Sequence, residues 1–265
     1  MEKNLLDRIA VVTGAAQGIG RGIASILCEA GAKVLIVDLN EEKGEEVAEF
    51  LSKGNSQATF YKADLRKETE IKACMDFAGE KWGGIDILVN SVRPFIKSDV
   101  PYEDSFEEWD YVIDALLKAP AMTAKHAFPH LAKSTYPSIV NISSGCAFNV
   151  MPNVQVSYHV ATAGVVQLTR FLAVQFSHEG IRVNCIAPNL VVAPDKPMPR
   201  GMDDDLVRRV VPLGRPASVE EIAKAVQYLC SEESSYITGH ILNVDGGLGM
   251  LDNYKLALRL EGKIQ

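Results

Sequence analysis

Three features of the 265-residue sequence predict a single α/β domain built on a doubly wound parallel sheet of about seven strands. Short runs rich in Val and Ile recur along the chain. Helix-length patterns separate them. The strand runs are continuously apolar rather than alternating, so both faces of the sheet are covered.

The elements follow in order. A strand at 9–13 leads through a glycine-rich turn into a helix from near Gly18 to Gly31. A strand at 34–37 precedes a helix at about 41–52, and a strand at 59–62 precedes one at 68–82. In that third helix Ile71, Met75, Ala78 and Trp82 fall on one stripe at helical spacing. Strands at 85–89 and 138–142 feed two long helical patterns, 106–133 and 157–178. A strand at 182–186 opens the least regular stretch, 189–216. It holds five prolines between Pro194 and Pro216 and reads as a lid over a site. A helix at 219–230 and a strand at 240–244 complete the pattern. The domain therefore covers 1–250. Residues 251–265 form a tail that either reaches a neighbouring subunit or frays.

Composition excludes several classes. An apolar fraction of 47% rules out disorder, and 20 Gly with 12 Pro is ordinary usage. Net charge is −7, which argues against nucleic acid or an anionic membrane as main partner. No apolar run approaches a membrane span. The start, with Glu2 and Asp7 running directly into a strand, does not read as a leader. Cys28, Cys74, Cys146, Cys185 and Cys230 have neither metal-ligand nor disulfide-framework spacing. They read as buried reduced thiols, which points to the cytoplasm.

The first strand ends in Gly14-Ala15-Ala16-Gln17-Gly18-Ile19-Gly20 before a helix. Such a turn brings backbone close to a pyrophosphate, which a helix N-terminus then attracts. The second strand ends in Asp38, 24 residues after Gly14. An acid there accepts hydrogen bonds from a ribose 2′-hydroxyl and repels a 2′-phosphate. Neither Gln17 nor Leu39 is basic, so NAD is favoured over NADP. Asp64 and Leu65, after the third strand, are placed to cap the adenine.

Gly-x3-Gly-x-Gly, Ile85-Asp86-Ile87-Leu88-Val89-Asn90, Ile139-Val140-Asn141-Ile142-Ser143-Ser144, Tyr158, Gly180-Ile181-Arg182-Val183-Asn184 and Val244-Asp245-Gly246-Gly247 occur in this order. Together they resemble the classical short-chain dehydrogenase/reductase family from about Asp7 to Met250. The resemblance implies a Rossmann-type domain, a nicotinamide cofactor with Asn90 at its site, and a dimer or tetramer. It also implies a catalytic tyrosine, here Tyr158, and a serine that orients the substrate oxygen, here Ser144. That serine lies 14 residues before Tyr158, which leaves Ser143 as an alternative.

Two further family positions have lost their chemistry. The lysine four residues after the tyrosine is Thr162, and the asparagine of the preceding long helix is Leu116. On the nicotinamide side, Asn90-Ser91-Val92-Arg93 ends in a long cation, Pro188 is followed by Asn189, and a threonine position is Ala193. These changes are expected to weaken NAD binding. A tyrosine of ordinary pKa is about one part in a thousand phenolate at pH 7, so losing the lysine costs alcohol oxidation roughly 4 kcal/mol. Carbonyl reduction, which needs only a proton donor, suffers less. His159, Lys118 and Arg93 are the nearby basic candidates. Ser144, Phe148, Tyr158, Asn189 and residues 197–202 are expected to face substrate. Arg93 and Arg200 are the only carboxylate clamps in view.

Three readings follow. The first is a pseudoenzyme subunit that pairs, through its long helices, with an active paralogue of the same family in a hetero-oligomer. Two-subunit members of the family that join an active to a degenerate chain imply a hydroxyacyl-CoA class of substrate. The second is a homo-oligomeric reductase or lyase that uses only Ser144 and Tyr158. The third is an NAD-responsive binding protein. None of them needs a metal, a nucleic acid or a membrane.

Overall fold

The computed structural model describes residues 4–53, 57–94, 103–151, 154–193 and 203–263. Seven parallel strands form the central sheet: β1 (Ile9–Thr13), β2 (Lys33–Asp38), β3 (Gln57–Lys62), β4 (Ile87–Asn90), β5 (Ser138–Ile142), β6 (Arg182–Pro188) and, after two short strands, β9 (Ile241–Val244). Their order is β3-β2-β1-β4-β5-β6-β9. The order reverses direction between β1 and β4, which opens a crevice at the strands' carboxyl ends.

Helices cover both faces. On one side α1 (Gly18–Glu29), α2 (Glu41–Leu51) and α8 (Val219–Cys230) bury Ile23, Leu27, Val47, Ile222 and Val226 against the strands. On the other, α3 (Glu68–Trp82), α5 (Ala119–Leu131) and α6 (Val156–Gln175) contribute Ile71, Met75, Leu131 and Leu172. The α3 stripe is as its spacing predicts: Ile71, Met75 and Ala78 are buried and Trp82 packs at the margin. All five cysteines are free and buried. Burial pushes the thiols of Cys28, Cys74, Cys185 and Cys230 up to about 12.

Three features differ from the sequence expectation. The pattern 106–133 is not one helix. It divides into α4 (Phe106–Ile113), a π-helical turn (Asp114–Lys118) and α5. Pro120 is the physical reason: it has no N–H for the Leu116 carbonyl four residues back, and its ring crowds that carbonyl. The tail does not fray. It forms α9 (Asn253–Leu260), which packs on α7 (Asp204–Val210), and Arg209 donates to the Leu260 carbonyl at 3.3 Å. Within the irregular stretch, β7 (Val191–Val192) pairs with β8 (Ala217–Ser218) and ties its two ends together. The expected lid residues 197–202, with Arg200, lie outside the described residues.

Helix α6 is apolar nearly all round. Its sheet-facing Val165, Val166 and Leu172 are buried, but Phe171 is 58% and Val174 71% exposed. On neighbouring α4, Phe106 is 88% exposed.

Candidate active site

The glycine loop at the start of α1 has the form a dinucleotide needs. Gly14 has φ +64°, and a side chain there would place Cβ 2.7 Å from the Ser91 carbonyl oxygen. At Gly20 a Cβ would lie 2.1 Å from the Gly14 carbonyl oxygen. No larger residue fits either position. Gln17 stands at the N-cap of α1 but its side chain caps nothing, and the first turn holds no acid. The leading N–H groups, among them those of Gly18 and Ile19, are therefore left to an external acceptor. Ile19 itself packs on the core beneath the loop. These residues fit the pyrophosphate of a nicotinamide dinucleotide.

Asp38, at the end of β2, accepts the Ala16 N–H and the Asn40 N–H, each at 3.0 Å. Its carboxylate is thereby fixed at the rim of the glycine loop, beside the exposed Leu39. Sequence reasoning missed Lys43. Its ammonium reaches the Gln17 side chain at 3.3 Å and puts a cation beside the ribose edge. Asp64 is buried and held by Arg66 through a two-pronged pair at 2.8 and 2.7 Å. That pairing holds the Asp64 carboxyl below its ordinary pKa. Leu65 packs into the core.

Asn90 points into the core rather than the crevice. Its amide donates to Asn141 at 2.9 Å and its oxygen accepts the Thr123 hydroxyl at 2.7 Å. Asn141 in turn donates to Thr169. This buried relay, from α5 across β4 and β5 to α6, makes the Asn90 side chain a strut of the sheet. Only its backbone is left to face a cofactor.

The reactive pair lies where the loop after β5 meets α6. Ser144 and Tyr158 lie side by side, and the serine hydroxyl acts on the phenol. Ser143 donates to the Thr162 carbonyl at 2.9 Å, so its hydroxyl is engaged on the α6 backbone. The Tyr158 phenol is pushed up by burial, while Arg93 and Ser144 pull it the other way, and the net direction is up. Cys146 belongs to this cluster as well. Its N–H donates to the Ser144 hydroxyl at 3.2 Å, and its thiol, pushed up by burial, is held down in part by Ser144 and Arg93. Its place two residues after Ser144 was the available signal.

The family profile described as Enoyl-(Acyl carrier protein) reductase matches residues 14–249. The 3-oxoacyl-(acyl-carrier-protein) reductase FabG of Chlamydia muridarum is 37% identical over 94% of this chain and 100% of that protein. Cis-4-hydroxycyclohexanecarboxylate dehydrogenase of Sinomonas cyclohexanicum is 36% identical over 93% of this chain and 98% of that protein. A solved structure from Sinorhizobium meliloti 1021, described as a short-chain alcohol dehydrogenase, superposes with a TM-score of 0.85 at 30% identity, covering 94% and 98% of the two chains. The chain belongs to the short-chain dehydrogenase/reductase family.

The side chains around Tyr158 are taken up by partners of their own. Thr162 is fully buried, and its hydroxyl bonds the carbonyls of Tyr158 at 2.8 Å and His159 at 3.1 Å. It is spent on its own helix. Leu116 lies in the π-helical turn and packs with Val112 and Ala161 in a small apolar cluster that Tyr158 flanks. His159 accepts the Met151 N–H through Nε2 and meets the Gln155 carbonyl through Nδ1, both at 2.9 Å. Those partners make it a neutral Nδ1–H imidazole that pins the preceding loop to α6. Lys118 pairs with Asp114 at 2.6 Å. Asn189 lies over Gly145, where an added Cβ would meet its amide nitrogen at 2.5 Å. Ala193 is buried, and Phe148 is half exposed beyond Ser144.

Proposed function

We propose that this chain is a subunit of an NAD-dependent oxidoreductase acting on a secondary alcohol or ketone, and that its own dehydrogenase chemistry is impaired. The observation that carries the reading is the closed Thr162 hydroxyl beneath a Tyr158 phenol raised by burial. No ammonium is present at that helix position to favour the phenolate. When bound, the nicotinamide supplies or accepts the hydride. Gly14, Gly18, Gly20 and the α1 N-terminus would hold its pyrophosphate, and Asp38 the adenosine ribose.

The partner is an active paralogue of the same family. The open apolar stripe of α6, with Val160, Phe171 and Val174, and Phe106 of α4 support association through these helices. The substrate class is a hydroxyacyl compound such as a hydroxyacyl-CoA. Two relatives are named for a 3-oxoacyl group and for a cyclic secondary alcohol, which supports this chemistry. Native mass spectrometry of the assembly purified from its source tests the reading. A second short-chain dehydrogenase chain, with no NAD-dependent turnover by the isolated chain, is the expected result. Robust turnover by a homo-oligomer would refute it.

The closeness of Ser144 to Tyr158 favours a second reading. A protonated Tyr158 donates to a carbonyl oxygen that Ser144 orients, so the chain acts as a reductase. Under this reading Tyr158→Phe abolishes ketone reduction by the isolated chain, and an unchanged rate rejects it.

A further inference from the structure

Strands β4 and β5 pair with Asn90 opposite Asn141. Arg93 and Ser144 each lie three residues beyond those partners, so their loops leave adjacent strands side by side. The start of the first loop is fixed in place. The Ser91 N–H donates to the Thr13 hydroxyl at 3.1 Å, and the Val92 backbone abuts Gly14, where an added Cβ would lie 2.8 Å from the Val92 Cα. Arg93 is exposed, and its charge acts on both the Tyr158 phenol and the Cys146 thiol. Arg93 therefore sits in the loop that neighbours the one carrying Ser144.

The sequence carries 34 acids against 27 Lys and Arg, and Arg8, Arg66, Arg209 and Arg215 all pair with carboxylates. Among the described residues no carboxylate forms an ion pair with Arg93. A planar guanidinium presents a fork of donors that matches a carboxylate, and it stays charged at any working pH.

We propose that Arg93 is an anion-recognition residue of the crevice, taking the carboxylate of a substrate whose carbonyl or hydroxyl oxygen faces Ser144 and Tyr158. This rests on the reading of that pair as the place where the substrate oxygen sits. The substrate class then narrows to an oxo- or hydroxyacyl compound that also carries a free carboxylate. A phosphate of the dinucleotide would present a similar anion, so the test separates the two sources.

The test is calorimetric titration of the full chain with acetoacetate and with acetoacetamide, which differ in charge at nearly constant shape. NADH affinity is measured on the same samples by fluorescence. The wild type binds acetoacetate at least about tenfold more tightly than the amide. Arg93→Gln reduces that preference to less than about twofold, Arg93→Lys keeps part of it, and NADH affinity stays constant. The proposal is overturned if the wild type shows no preference, including failure to bind either probe, or if the preference survives in Arg93→Gln. It is equally overturned if Arg93→Gln weakens NADH by the same factor, because the anion is then the cofactor's. Turnover is recorded separately. Activity of the isolated chain would overturn the impaired-subunit reading and leave Arg93 as the carboxylate clamp.

Discussion

The sharpest consequence of the site concerns the proton on Tyr158. Burial raises its pKa above the ordinary value of 10, and Arg93 with Ser144 offsets only part of that rise. Below that raised value the phenol is protonated, and the phenolate appears only as pH climbs through it. Thr162→Lys restores a cation one helical turn away. At about 4 Å and an effective dielectric of about 20, an ammonium favours the phenolate by about 4 kcal/mol. That is about three pKa units, and at most about a thousandfold in alcohol oxidation at neutral pH. The substitution has a cost. Thr162 is fully buried, so the longer side chain strains its surroundings by about 1–3 kcal/mol, which a thermal melt would register. The assay is a pH titration of the Tyr158 ζ-carbon by NMR in tyrosine-labelled protein, assigned with Tyr158→Phe. The wild-type resonance is expected to move only above pH 10, and the Thr162→Lys resonance two to three units earlier, by the same arithmetic (about three units). A wild-type midpoint below 10 would refute the reasoning, because Arg93 would then already perform the task of the missing lysine.

Three other outcomes follow from the same coordinates. Asn141→Ala leaves the buried Asn90 amide without its acceptor and breaks the relay to Thr169, so urea denaturation should show a loss of about 2–4 kcal/mol; a loss below about 1 would mean the relay is not a strut. Gly20→Ala drives a Cβ into the Gly14 carbonyl, so NADH affinity measured by fluorescence should fall at least about tenfold, and unchanged affinity would separate this loop from nucleotide binding. Glu221 completes a capping box with Ser218 and pairs with Arg215, which together hold its pKa at about 2. A lowered pKa contributes stability above the unfolded value of about 4.3 and loses it as pH falls towards 2. The pair is largely exposed, so Glu221→Gln should cost under about 1 kcal/mol at pH 7 and flatten the acid-induced loss in that window; an identical acid profile would contradict it.

Most of the fold was legible because it depends on patterns that tertiary contacts reinforce. Continuous Val/Ile runs and helical stripes gave all seven strands of the main sheet, with ends off by a residue or two. The π-helical turn escaped because apolar periodicity continues across it. Pro120 was the available signal, and it acts on a single carbonyl rather than on the pattern. The tail helix α9 escaped because its support is α7, far away in sequence. At the glycine loop, the tight turn at Gly14 and the crowding at Gly20 were legible from backbone requirements. The inward turn of Asn90, the grip of Arg66 on Asp64 and the reach of Lys43 to Gln17 were not, since each depends on which of several partners a side chain meets in three dimensions.

The way the altered positions are satisfied bears on what the chain is for. A working site usually keeps strained or unpaired groups where chemistry demands them, and stability is lower there. Here the positions that left the family pattern are locally content. The Thr162 hydroxyl closes on two helix carbonyls, the His159 ring uses both nitrogens, and Leu116 fills an apolar cluster where an asparagine would need partners. Each substitution replaces a reactive or polar demand with a packed or hydrogen-bonded arrangement. The π-helical turn, a costly irregularity, persists beside them and keeps the path of the chain past Tyr158. Shape is retained while the lysine and asparagine chemistry is gone. Under the proposed subunit reading a partner reads the retained surface, and Ser144, Tyr158 and Arg93 are the groups proposed to meet a ligand.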